Sequence, residues 1–143
     1  MKTKKLLATM LVVVLLFVFT ASTFADNDTG NHYFNGSCYK HFTTNESVAR
    51  SGNLTPNRIC VRVTSLSFHG SPSYTYGMIK VVDQAGYQCE GAEAVSSYHE
   101  FDNITPRNAS TEFKLKIFHP YFYDNEERAS SSMEIHGRFN AIW

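Results

Sequence analysis

Apolar and polar side chains alternate in short runs along most of the chain, the period-two signature of strands with one dry and one wet face. The densest run is Arg58-Ile59-Cys60-Val61-Arg62-Val63-Thr64-Ser65-Leu66-Ser67-Phe68. Ile59, Val61 and Val63 share a face opposite Arg62 and Thr64. Leu66 and Phe68 then fall on the second face, so the strand either changes layers or carries a bulge near Ser65. After the break His69-Gly70-Ser71-Pro72, a second strand is predicted over 73–83, antiparallel to the first by proximity. A third begins at Tyr87, beyond the turn Asp83-Gln84-Ala85-Gly86. The cleanest alternation comes last. Phe113, Leu115 and Ile117 oppose Glu112, Lys114 and Lys116, and Met133, Ile135, Gly137, Phe139 and Ala141 oppose Glu134, His136, Arg138 and Asn140.

Other stretches are less periodic. In 32–42, the pair Asn35-Gly36 divides the aromatic residues into two short strands of a tight hairpin or marks a bulge in one strand. Residues 91–101 mix a helical face (Ala94, Tyr98, Phe101) with weak alternation and read as irregular, and 121–132 reads as a long connection. Six or seven short strands with frequent turn signals predict an all-β fold, an antiparallel β-sandwich. Its buried set is predicted to be Val61, Val63, Ile79, Val81, Phe113, Leu115, Ile117, Ile135 and Phe139.

The N-terminus changes the picture of where this domain works. Lys2, Lys4 and Lys5 precede an apolar run over 6–19 and a polar tail with Thr23 and Ala25, the pattern of a secretory signal peptide cleaved after Ala25. Residues 26–143 are then one secreted domain, extracellular or in the cell-wall space, with no stable membrane anchor after cleavage. Three of the thirteen basic residues and none of the thirteen acidic ones lie in the signal peptide, leaving a net charge of −3. That balance argues against nucleic acid as a partner.

Cys38, Cys60 and Cys89 allow at most one internal disulfide in an exported chain. If 58–68, 73–83 and 87–89 are consecutive hairpin strands, Cys60 and Cys89 stand about two strand spacings apart, roughly 10 Å, beyond the reach of a disulfide. Cys38 is therefore expected to pair with Cys60 or Cys89, with Cys60 preferred.

Catalytic constellations are missing from the sequence. The six histidines stand apart from one another, no Cys-x-x-Cys is present, and no Gly-x-Ser-x-Gly elbow occurs. No enzyme activity, cofactor or metal is expected. Tyr121, Phe122, Tyr123 and Asp124, together with Tyr74 and Tyr76, are the candidate binding residues, since exposed rings beside carboxylates meet sugar rings or protein surfaces. The partner would be a protein or a cell-surface glycan. Asn27, Asn35, Asn45, Asn53, Asn103 and Asn108 each begin an Asn-x-Ser/Thr triplet and mark turns.

The signal peptide, the early aromatic strand, Val61-Arg62-Val63-Thr64, the Tyr-rich 73–83 segment and the closing alternating strand resemble small secreted β-sandwich proteins of Gram-positive bacteria without an assigned function. The layout is also loosely similar to lactococcin-type bacteriocins. This chain departs from their C-terminal pattern, with Gly137-Arg138-Phe139-Asn140 and a tryptophan only at Trp143. The expected function is a secreted, non-enzymatic binding protein; the resemblance implies, as the alternative, a bacteriocin-like toxin acting on competing bacteria.

Overall fold

Most of the alternating runs are strands in the computed structural model, which describes residues 29–49, 54–106 and 112–143; the strand expected over 73–83 begins only at Gly77, and the one expected from Tyr87 is an isolated bridge between Val82 and Gln88. The predicted signal peptide, 1–25, lies outside these residues. In chain order the elements are β1 (His32–Cys38), β2 (His41–Thr43), β3 (Val48–Ala49), β4 (Arg58–His69), β5 (Gly77–Asp83), β6 (Glu93–Val95), β7 (Tyr98–Phe101), β8 (Glu112–Phe118), helix α1 (Pro120–Asn125) and β9 (Ser132–Ile142). They form two antiparallel sheets, one ordered β1-β9-β4-β7 and the other β2-β8-β5-β6 with β3 also on β8. The fold is the expected all-β sandwich, with nine strands among the described residues instead of six or seven.

The two inner faces supply one core. Ile59, Val61, Ile79, Val81, Phe113, Leu115, Ile117, Ile135 and Phe139 are fully buried, and Val63 nearly so. Each is the apolar member of an alternating strand, so burial follows the pleat. The irregularity expected near Ser65 is a bulge: Val63 lies opposite Gly137, but Ser65 lies opposite His136. The extra residue returns Leu66 and Phe68 to the inner face, where both pack against the core.

Strand neighbours differ from those expected. β4 and β5 are not a hairpin: β4 pairs with β9 and β7, whereas β5 pairs with β8 and β6. Residues 70–76 carry the chain from one sheet to the other, because a sandwich can bury two adjacent strands in facing sheets as well as side by side. Residues 32–38 form one strand in unbroken register with β9, and the chain turns at Tyr39 and Lys40 to reach β2 in the other sheet. Gly36 faces inward there: a Cβ at this position would meet the Phe42 ring at 2.4 Å, so glycine lets that ring close over the strand. The 91–101 segment, expected to be irregular, contributes two short edge strands, β6 and β7.

The expected Cys38–Cys60 disulfide is absent. All three cysteines are buried and not bonded to one another. Strand order and register explain the absence. β9 separates β1 from β4, Cys38 lies opposite Met133, which lies opposite Phe68, and Cys60 lies eight residues further along β4, opposite Asn140. Eight residues span roughly 26 Å of strand. Cys38 also joins the core cluster, whereas Cys60 follows the outward phase of Arg58 and Arg62. The meander used to place Cys60 relative to Cys89 fails for the same reason as the β4–β5 hairpin. Burial pushes the Cys38 thiol up to about 11, against backbone hydrogen bonds from His119 and Lys40 that pull it down.

Candidate functional site

β8 ends at Phe118, and His119-Pro120 starts a single helical turn and a half across the end of the sandwich. Proline at the first helical position suits this start, since its missing N–H would have no intrahelical partner. His119 caps the helix by its ring: Nδ1 accepts from the Tyr121 N–H at 3.2 Å. Nε2 must then carry the proton, and it donates to Ser131 Oγ at 3.1 Å, which in turn donates to the Pro72 carbonyl. The imidazole is fully buried, edge-on to Phe68 at 5.2 Å and to Tyr74 at 5.8 Å.

This histidine therefore works in its neutral form. Burial lowers its pKa from the ordinary 6.5. The unfolded chain takes up a proton near that value and the folded chain resists it, so stability is fully present above pH 6.5 and declines as pH falls below it. Urea midpoints measured across this range are expected to fall more steeply for the wild type than for His119→Gln, which has no titrating ring. Parallel profiles would show that His119 is not the linked group.

Helical periodicity divides the sequence-predicted residues between two flanks of α1. On one flank, Tyr121 and Asp124 stand near Tyr74 and Tyr76: the Tyr74 phenol is raised by burial first, then by the charges of Asp124, Tyr76 and Tyr121. Tyr74 and Tyr76 meet edge to face at 5.8 Å. Tyr74 also covers His119 and contacts Phe68, so much of its ring is committed to packing.

On the other flank, Phe122 lies 5.5 Å from the His41 ring, and Tyr123 lies 5.5 Å from Phe118. Phe118 is an outer-face residue of β8 that α1 shields to 7% exposure, while Tyr123 remains 42% exposed. With Lys80 and Glu126 these rings line an open cavity of about 360 Å³. Glu126 ends the helix in the left-handed region (φ 58°), donating its N–H to the Phe122 carbonyl at 2.7 Å. A glutamate in this conformation carries a backbone cost of roughly 1–2 kcal/mol.

The cations around this cavity were not singled out by sequence reasoning. Lys80 and Lys116 are directly opposite each other on β5 and β8. Their ammonium groups lie 5.3 and 5.4 Å from the centre of the Phe118 ring, and that of Lys40 lies 5.9 Å from Phe122. Burial and then Lys116 lower the Lys80 pKa; burial, followed by Lys116, Lys40 and Lys80, lowers that of His41. The ion pairs found among the described residues involve none of these lysines. The alternation of Lys114 and Lys116 was visible in the sequence, but the β5–β8 pairing that sets Lys116 against Lys80 was not.

Among the described residues no group of three or more histidine, cysteine or acidic side chains is arranged to hold a metal ion. Compared with known proteins, the chain matches no family model, no curated protein sequence and no solved structure.

Proposed function

We propose that the chain is a secreted, non-enzymatic binding module that takes an acidic cell-surface saccharide in the cavity beside α1. The observation that carries this reading is the Lys80–Lys116 pair. Like charges directly opposite on antiparallel strands are destabilising, and neither lysine takes part in the ion pairs found among the described residues, while Lys80 donates to the neutral Gln88 Oε1 at 3.4 Å. An anionic ligand would supply the missing countercharge. Phe122 and Tyr123 offer ring faces on which a pyranose can stack, and the Glu126 carboxylate at the rim accepts hydrogen bonds from hydroxyls. The strained backbone of Glu126 fits this role, since strain is retained where a residue serves a site.

A saccharide array containing uronic-acid, sulfated and neutral members tests the reading. Acidic members are expected to bind, and affinity for them is expected to fall about tenfold or more in both Phe122→Ala and Lys80→Gln. Binding confined to neutral sugars, or acidic-sugar affinity indifferent to both substitutions, would overturn it.

A further inference from the structure

The opposite sheet carries a second cationic feature. Strand register places Tyr33, Arg138, Arg62 and Tyr98 in one row across β1, β9, β4 and β7. The row lies on the outer face, since the neighbouring Phe34, Phe139 and Val61 all point into the core. Its two central members are both arginines, directly opposite one another, which again costs stability. Glu100, in the adjacent row, is engaged elsewhere: it accepts from Arg58 Nη1 at 2.7 Å and from the Tyr98 hydroxyl at 2.5 Å. Neither Arg62 nor Arg138 takes part in the ion pairs found among the described residues.

The ring of Tyr33 at one end of the row is exposed, and that of Tyr98 at the other end is half exposed, with its hydroxyl bonded to Glu100 and Arg62 over one face. Tyr33 is 61% and Tyr98 49% exposed. The Arg62 guanidinium lies 5.5 Å from the centre of the Tyr98 ring, which holds the fork in place along the strand surface. Asn31 and Asn140 sit beside the arginines, and together they border a shallow depression of about 250 Å³. Three strand spacings make the row roughly 14 Å long.

We infer that this row is a second saccharide site, in which Arg62 and Arg138 grip the carboxylate or sulfate of an acidic polysaccharide lying across the strands. Guanidinium forks bind such planar or tetrahedral oxyanions through paired hydrogen bonds. Tyr33 and Tyr98 stack on flanking sugar rings, and the Asn31 and Asn140 amides meet hydroxyls. The inference rests on the acidic-saccharide reading for its ligand class, but it uses different residues on the other outer face.

Calorimetry with heparin, polygalacturonate and dextran tests it on the full mature chain. Lys80→Gln/Lys116→Gln, which disables the cavity beside α1, is expected to lose the tighter component of heparin binding and to retain a second, weaker one. Adding Arg62→Gln and Arg138→Gln is expected to weaken what remains about tenfold or more. Binding of polygalacturonate as well as heparin assigns carboxylate recognition, and binding of heparin alone assigns sulfate; either supports the site, while dextran should not bind. Loss of all heparin binding in the lysine variant, or residual affinity indifferent to the arginines, overturns it. Tighter binding of single-stranded DNA than of either polysaccharide does so too. A second measurement needs no variant: heparin should protect Arg62 and Arg138 of the wild type from phenylglyoxal, and unchanged modification rates would refute the site.

Discussion

Phe139→Ala is expected to lower the unfolding free energy by about 3–5 kcal/mol, a large share of the roughly 5–15 kcal/mol that stabilises a domain of this size. Phe139 is fully buried on β9, a central strand of its sheet, with His32 opposite on β1 and Val61 opposite on β4. Its ring lies 5.4 Å from that of His32 and 6.4 Å from that of Phe34. Strands hydrogen-bonded on both sides cannot move inward to refill the space, so the cavity persists and adds its own cost to the lost transfer energy. Urea unfolding measures the loss directly. An unchanged midpoint would mean that this face of β9 is not the core face.

Gly137→Ala is expected to cost about 1–3 kcal/mol or more, although it adds only one methyl group. A Cβ at this position would lie 2.4 Å from the Arg62 carbonyl oxygen and 2.4 Å from the Phe34 ring. The ring can shift; the carbonyl belongs to β4 immediately before its bulge and is held by the β4–β9 ladder. Glycine is required here by the close approach of two backbones, the usual meaning of glycine inside a strand beside a bulge. Thermal melting checks the expectation, and a wild-type midpoint in the alanine variant would show that the bulge relaxes freely.

Helix α1 decides how the aromatic segment can be used. Read as a loop, Tyr121, Phe122, Tyr123 and Asp124 form one surface; wound into a helix, they face two sides of the sandwich end. The Tyr121 and Asp124 flank meets Tyr74, whose ring closes over His119, and the Phe122 and Tyr123 flank meets the lysines of β5 and β8. The short helix itself was hidden because a turn and a half shows too little periodicity, and because its cap is a histidine ring.

The sequence by itself determined which side chains are inside. Val61, Ile79, Leu115, Ile135 and Phe139 alternate with polar neighbours, and a strand with one wet face has a single way to bury them, whichever strand lies beside it. The change of phase after Val63 likewise announced either a bulge or a change of layers, and the β4–β9 register decides for the bulge. Only the tertiary structure decided which strands are neighbours, because alternation specifies a face and carries no record of the partner. That choice placed β4 beside β9 instead of β5, kept Cys38 far from Cys60, and set Lys80 against Lys116 and Arg62 against Arg138. Both proposed sites depend on such cross-strand rows, whose residues are distant in the chain and meet only through register.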